Sequence, residues 1–228
     1  MSDYERYADY DNIEEPPRRG PVGLIFKILG ALICGGMIGL LAFRMILFRT
    51  YPASVSQIVF TDALTDYYQE TNGRIGAQTQ KLRSPYDDPN TGYFFCDHMI
   101  LVRGIGELQV ALRYNVSTLR ALGEKYELAT PLDPSSDALF SYRLVDNRGE
   151  VFDDLVYHAF DTRVMYRYHK LVFDGVDFSD AVKWISLEIF FAGTDTETGE
   201  PIARIPVFEN HEEYSALSPY RLSRREVP

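Results

Sequence analysis

The chain has 228 residues, with 23 Lys and Arg against 33 Asp and Glu, so its formal net charge is −10 at pH 7. Residues 50–228 hold 17 of these bases and 27 of the acids, and this part alone therefore carries −10. Nucleic acids and anionic lipid surfaces bind to basic patches, so this balance argues against both as partners of that part. Residues 50–228 are long enough for one domain with a hydrophobic core.

Residues 1–21 are acidic and proline-containing, with no periodic apolar pattern, and we expect a disordered cytoplasmic tail. Tyr4, Tyr7 and Tyr10 recur at every third position. In a receptor, such a pattern would indicate phosphotyrosine signalling. A solvated tail without a signal is the simpler interpretation.

Residues 22–48 form an apolar stretch that only Lys27 and Arg44 interrupt. Its uncharged centre, residues 28–43, would span roughly 24 Å as a helix, close to the ~30 Å hydrocarbon core of a bilayer. Lys27 and Arg44 lie where long cationic side chains reach the headgroups. The stretch predicts a single transmembrane helix, with these two residues as anchors at the membrane interfaces.

A cleaved signal peptide and a buried helix of a soluble domain are the alternatives for this stretch. The long acidic segment before it and the lack of a small-residue cleavage site after it favour an uncleaved anchor. Basic residues near the two ends of the stretch indicate its orientation. The N-terminal side has three, Arg18, Arg19 and Lys27, and the C-terminal side has two, Arg44 and Arg49. This small excess weakly favours a cytoplasmic N-terminus and an outer C-terminal domain.

A stripe of small residues runs along the predicted membrane helix at a spacing of four: Ala31, Gly35 and Gly39. Small side chains let two helices approach closely, so this stripe predicts a helix–helix interface in a homodimer or with a membrane partner.

The only cysteines, Cys34 and Cys96, lie in different regions. An outer domain without an internal disulfide is more typical of a bacterial plasma membrane than of an animal secreted protein. Cys96 is interpreted as a buried apolar residue, with an intermolecular disulfide as the alternative.

Residues 49–92 are predicted to form a membrane-proximal segment. It contains a short helix over 61–70 capped by Thr61, an extended stretch over 75–82 and a turn-rich loop over 84–92. From residue 93 the pattern indicates strands. Period-2 alternation or apolar runs mark residues 107–115, 140–144, 155–160, 164–173, 185–191 and 202–207. A further short helix is predicted over 117–122, with Ser117 as its cap and Gly123 as its stop.

Seven or eight short strands with one or two short helices predict a mainly-β extracytoplasmic domain. The expected fold is an antiparallel β-sandwich of immunoglobulin-like architecture over 93–208, and a small, partly open barrel is the alternative. Residues 209–228 are polar and are predicted to form a C-terminal tail.

No catalytic or cofactor motif is present: no zinc spacing among the four histidines, no nucleophile elbow and no phosphate-binding loop. Asp174, Asp177 and Asp180 are weak calcium candidates, because carboxylates suit that ion but the spacing of a calcium loop is missing. Asn115 begins a glycosylation sequon, which applies only in a eukaryotic cell. Paired tyrosines, Tyr67 with Tyr68 and Tyr166 with Tyr168, are either core residues or contacts for a protein or glycan ligand.

These features predict a non-enzymatic protein, held in the plasma membrane by one helix, that presents a binding or assembly surface outside the cytoplasm. Two alternatives stay open. One is a signalling receptor that uses the tail tyrosines, and the other is a surface hydrolase whose paired acids are not evident from sequence spacing. An exposed aromatic patch would favour binding, whereas a cleft with two facing carboxylates would favour hydrolysis.

Overall fold

The structure is a computed structural model, and it describes residues 21–49, 52–82, 93–163, 165–210, 215–222 and 226–227. The chain divides into two compact units, Met1–Arg49 and Thr50–Pro228. The predicted tail tyrosines and the predicted loop over 84–92 lie outside the described residues.

The first unit contains one long helix, α1 (Pro21–Arg49). Its segment Leu24–Arg44 has a mean hydropathy of 2.2 and none of it is buried. By length and composition this helix could cross a membrane, as an anchor or as a signal sequence. Ala31, Gly35 and Gly39 lie on it, and a side chain added at either glycine would meet no atom within 4 Å. The predicted helix–helix interface therefore stays a prediction.

The second unit is mainly β, and all strand pairs in its two sheets are antiparallel. The six-stranded sheet contains β1 (Gln78–Leu82), β2 (Phe94–Val102), β3 (Glu107–Asn115), β6 (Leu155–Thr162), β7 (Tyr166–Phe173) and β10 (Ser215–Pro219), in the order β10-β1-β2-β3-β7-β6. The four-stranded sheet contains β4 (Phe140–Asp146), β5 (Val151–Phe152), β8 (Trp184–Phe191) and β9 (Ala203–Glu209), in the order β5-β4-β8-β9. The prediction of an antiparallel, mainly-β domain is confirmed.

One hydrophobic core is shared by the two sheets. The alternating positions predicted to face inward do so: Leu108 and Val110 of β3 and Leu187 and Ile189 of β8 are all fully buried in this core. Trp184 is 40% exposed, as the alternation of β8 predicts. Period-2 patterning therefore identified the inner faces of β3 and β8 correctly, because the inward positions of these two strands are apolar.

Three short helices accompany the sheets: α2 (Ala53–Ser56), α3 (Asp62–Glu70) and α4 (Val116–Lys125). The predicted cap of α3 is confirmed, since the Thr61 hydroxyl oxygen accepts a hydrogen bond from the backbone N–H of Leu64. The prediction for α4 was wrong at both ends. Asn115, not Ser117, caps the helix, because the Asn115 side chain already accepts the N–H of Ser117 at 3.2 Å.

The helix α4 also continues past Gly123 to Lys125. Gly123 does not adopt the left-handed backbone conformation that would end the helix there, and the N–H of Tyr126 still bonds to the carbonyl oxygen of Leu122. The glycine stop was therefore wrong, because glycine permits but does not require a left-handed turn.

Two further predictions differ from the structure. Residues 209–228 were expected to form only a polar tail, yet residues 215–219 form β10, which pairs with β1. The strand β3 was expected to be half-buried, yet Glu107, Gln109 and Ala111 on its polar face are buried as well. A second layer of chain covers that face, and this layer positions the candidate site.

Candidate functional site

The outer face of the six-stranded sheet is the face turned away from the shared core. In its centre, Val55 of α2 packs against Ala111 of β3 and Tyr168 of β7. The segment that follows α2 is held by Gln109, whose side-chain amide bonds to both backbone groups of Val59. The Val59 N–H donates to Oε1 at 2.8 Å and Nε2 donates to the Val59 carbonyl at 2.7 Å. The amide thus makes the two hydrogen bonds that the backbone of a neighbouring strand would make, and it fixes residues 57–61 over the sheet.

Glu107 lies next to Gln109 on the same face and is 1% exposed. Its Oε2 accepts a hydrogen bond from the Thr61 hydroxyl at 2.5 Å, and its Oε1 accepts one from Gln109 Nε2 at 2.7 Å. Burial raises the pKa of Glu107, and the nearby Asp174 carboxylate raises it further, against these two hydrogen bonds. A buried carboxylate with a raised pKa is a frequent feature of functional sites.

Lys170 is a second buried ionisable group on the outer face. It lies between Ala111 and Ala159 in the register of the sheet and is 1% exposed. Burial lowers the pKa of Lys170 to about 7, although the carboxylates of Glu107 and Glu226 favour its charged form. The outer face therefore buries an acid, Glu107, and a base, Lys170.

A cavity of about 450 Å³ opens at this end of the sheet, and we call it the acidic cavity. Its volume lies in the range of sites that hold a small molecule or a side chain, roughly 300–1,000 Å³. Three carboxylates contribute to it together with the Thr61 hydroxyl and two aromatic side chains. The lining residues are Val59, Phe60, Thr61, Asp62, Ala63, Glu107, Val156, Tyr157 and Asp174.

Val156 and Tyr157 also belong to β6, the last strand of the six-stranded sheet. Among the described residues, β6 pairs with β7 alone, so one row of its backbone groups faces away from the sheet. Val156 is 45% exposed and Tyr157 is 38% exposed. A bulge lies between Leu155 and Tyr157, and the register is regular from Tyr157 to Thr162.

The other sheet edges are protected in ways that β6 is not. β5 is only two residues long, β9 contains Pro206, and β10 ends in Pro219. Short strands, prolines and lysines prevent an edge from pairing with another chain. The eight residues of β6 include no Pro, Lys or Arg, so this edge is open to strand addition apart from the bulge at its start.

Comparisons with protein-family models, with curated proteins and with solved structures find no match for this chain.

The structure brings two histidines together that sequence spacing left apart. The rings of His158 and His169 stack at 5.1 Å with an interplanar angle of 9°, and His158 Nε2 lies 2.8 Å from His169 Nδ1. The hydroxyl of Tyr114 lies 3.2 Å from His169 Nε2. Burial lowers the pKa of both histidines, that of His169 to about 3, so both are neutral at pH 7. The register of the β6–β7 hairpin was the signal that could have found this pair.

The three calcium candidates have separate roles in the structure. Asp174 lines the acidic cavity and accepts the N–H of Gly175, whereas Asp177 bonds to Ser179 and to Arg148 Nη2 at 2.8 Å. Asp180 is exposed. Within the described ranges, no group of three or more His, Cys, Asp or Glu side chains is arranged to hold a metal ion. The calcium prediction gains no support.

An aromatic cavity of about 410 Å³ lies at the other end of the outer face. Tyr93, Phe95 and Tyr166 line it, and so does Asn115 of the sequon. The guanidinium carbon of Arg113 lies 5.4 Å from the centre of the Phe95 ring and 5.5 Å from that of Tyr166. Tyr168, by contrast, is fully buried under α2. Of the two paired tyrosines on β7, only Tyr166 is thus available to a ligand.

Proposed function

We propose that this chain is a non-enzymatic, single-pass membrane protein whose outer domain presents a binding surface for assembly with another protein. The observation that carries the proposal is the open edge of β6, eight residues without proline, lysine or arginine. Exposed edges of this kind pair with a further strand unless something protects them. Val156 and Tyr157 add exposed apolar area at the start of the same edge.

Membrane attachment is supported by α1, whose apolar segment Leu24–Arg44 has no buried residue. Lys27 and Arg44 would lie at the two membrane interfaces. The bias of basic residues favours a cytoplasmic N-terminus, with residues 50–228 outside a bacterial plasma membrane. Tethering confines the domain to one surface and raises its effective concentration for neighbouring proteins.

We further propose that the two sheets form a sandwich of immunoglobulin-like architecture. The shared core and the antiparallel pairing of every described strand support this assignment. The architecture itself implies no activity.

A photo-crosslinking residue at position 156 in intact cells tests the proposed function. Val151 on β5 is the matched control, because it is 44% exposed, against 45% for Val156, but lies on a two-residue edge. We expect a discrete protein adduct from position 156 and none from position 151. Equal adducts from both positions, or none from either, would contradict the proposal. Protease protection of a C-terminal tag tests the orientation in the same cells.

Hydrolysis is a second candidate, which the acidic cavity favours because Glu107 and Asp174 both line it. A buried carboxyl with a raised pKa beside a second carboxylate resembles the acid–base pair of glycosidases. Activity of the full chain on a panel of glycans and peptides, lost in Glu107→Gln but retained in Asp180→Asn, would favour this candidate. Activity that both variants retain, or none in the parent chain, would exclude it.

A further inference from the structure

We infer that the partner offers β6 an extended segment with a lysine or arginine, and that this basic side chain enters the acidic cavity. The inference rests on the proposed function and adds to it the chemistry of the partner. It combines two features that adjoin at Tyr157: the open strand edge and the cavity that Tyr157 helps to line.

The strand edge can take about six residues. The register with β7 is regular from Tyr157 to Thr162, and in an antiparallel pair alternate residues direct their N–H and C=O groups away from the neighbouring strand. A strand added there would lie about 4.8 Å from β6. Its side chain beside Tyr157 on the outer face would therefore lie at the mouth of the acidic cavity.

The cavity selects a cation. Asp62, Glu107 and Asp174 line it, and none of the described residues that line it is basic. Glu107 is held in place by Thr61 and Gln109, so it is a fixed acceptor, while Asp62 is exposed and Asp174 is partly exposed. A cation entering between them would be attracted by all three groups, in a site that partly excludes water.

The aromatic walls fit the same ligand. Phe60 and Tyr157 line the cavity, and Phe60 is held edge-on to Tyr68 of α3, with the ring centroids 5.6 Å apart. Aromatic faces bind the apolar stem of lysine or arginine and attract the cationic end. A carboxylate set with aromatic walls therefore favours an amine or guanidinium over a neutral polar group.

Charge argues against a second copy of this chain as the occupant. Residues 50–228 carry −10, and the acids Asp153, Asp154 and Asp161 lie beside or within β6. Two such edges brought together would repel each other, and β6 itself offers no lysine or arginine to the partner copy. A basic segment of a different protein has the complementary charge.

A display library of random eight-residue peptides, panned against the full chain in nanodiscs, tests the inference. We expect the enriched peptides to share a lysine or arginine at one fixed position. Their affinity should fall at least about tenfold in Asp62→Asn/Asp174→Asn. Asp180→Asn removes an exposed acid outside the cavity and should leave the affinity unchanged. Asparagine at position 174 can still accept the N–H of Gly175, which preserves the local turn.

Backbone N-methylation of an enriched peptide tests the strand edge without altering the protein. Methylation at one alternating set of residues should abolish binding, and methylation at the other set should not. Three results would each overturn the inference. The first is no enrichment, and the second is enriched peptides that share no basic residue. The third is equal affinity of these peptides for Asp62→Asn/Asp174→Asn and for Asp180→Asn. Self-association of the full chain through position 156 would overturn it too.

The two proposals can fail separately. A protein adduct from position 156 that persists in Asp62→Asn/Asp174→Asn would retain the assembly function and reject the basic partner. No adduct from position 156 in the parent chain would reject the assembly function itself.

Discussion

The side chain of Gln109 forms two hydrogen bonds to the backbone of Val59, 50 residues earlier in the chain. This pair fixes residues 57–61 over the outer face of the six-stranded sheet, and three of them, Val59, Phe60 and Thr61, line the acidic cavity. A single buried amide thus links the covering segment to the site.

Replacing this amide should therefore destabilise the outer domain. In Gln109→Leu, both backbone groups of the half-buried Val59 lose their buried partner, and we expect a cost of about 1–3 kcal/mol. Chemical denaturation of the full chain in detergent measures this change. Gln69→Leu, at an exposed position of α3, is the control and should change the unfolding free energy little. An equal loss in both variants would show that the amide pair has no special role.

The inner faces could be predicted from the sequence, whereas the outer face and the site could not. Alternation in β3 and β8 marked the core positions because hydrophobicity alone separates the two faces of a strand there. Burial of Glu107 and Gln109 depends on a segment about 50 residues away, and the pairing of β1 with β10 joins residues 78 and 219. The acidic cavity takes residues from four separate stretches of the chain, so no local spacing could reveal it.

Lys170 should make stability depend on pH above neutrality. Its pKa is about 7 in the folded chain against about 10.5 when unfolded, so between these values the unfolded state binds more protons. Unfolding free energy should therefore rise with pH between 7 and 10, by at most about 1.4 kcal/mol per pH unit from this group.

The Lys170→Met variant should lose this rise and be more stable than the parent chain at pH 7, by a margin that narrows as pH increases. Denaturation at several pH values measures it. Lys183→Met, which replaces an exposed lysine, should keep the pH dependence of the parent chain. A flat profile in the parent chain would exclude a depressed pKa for Lys170.

The buried His169 should make the domain sensitive to acid. The pKa of His169 is lowered to about 3 by burial, whereas the unfolded side chain titrates near 6.5. Between these values the unfolded state binds more protons, so unfolding free energy should fall as pH drops below 6.5. The contribution of His169 is at most about 1.4 kcal/mol per pH unit.

His169→Phe keeps a buried ring but removes the titrating group, so its slope between pH 6 and pH 4 should be shallower than that of the parent chain. Denaturation curves at matched pH values give both slopes. Identical slopes would mean that His169 does not govern the loss of stability in acid.

Gly123 lies inside α4 with nothing within 4 Å of the position where a Cβ would be. Gly123→Ala should stabilise the domain by up to about 1 kcal/mol, because alanine has the higher helix propensity and meets no clash. Gly106→Ala should do the opposite, since Gly106 has φ +70° and its Cβ would lie 3.0 Å from the carbonyl oxygen of Val176. Thermal unfolding of both variants measures the contrast, and a lower melting temperature for Gly123→Ala would contradict it.

Glu188 connects two arginines on the four-stranded sheet and is 1% exposed. Arg143 Nε donates to its Oε2 at 2.7 Å, and Arg204 Nε donates to its Oε1 at 2.8 Å. Glu188→Gln leaves Arg143, whose side chain is 16% exposed, without its counter-charge, and we expect a loss of about 3 kcal/mol. The matched control is Asp161→Asn, because Asp161 contacts Arg163 at 3.8 Å in a more exposed ion pair. Its replacement should lower the unfolding free energy by less than about 1 kcal/mol. Denaturant unfolding in low salt compares the two, and a smaller loss for Glu188→Gln than for Asp161→Asn would show that burial does not strengthen this ion pair.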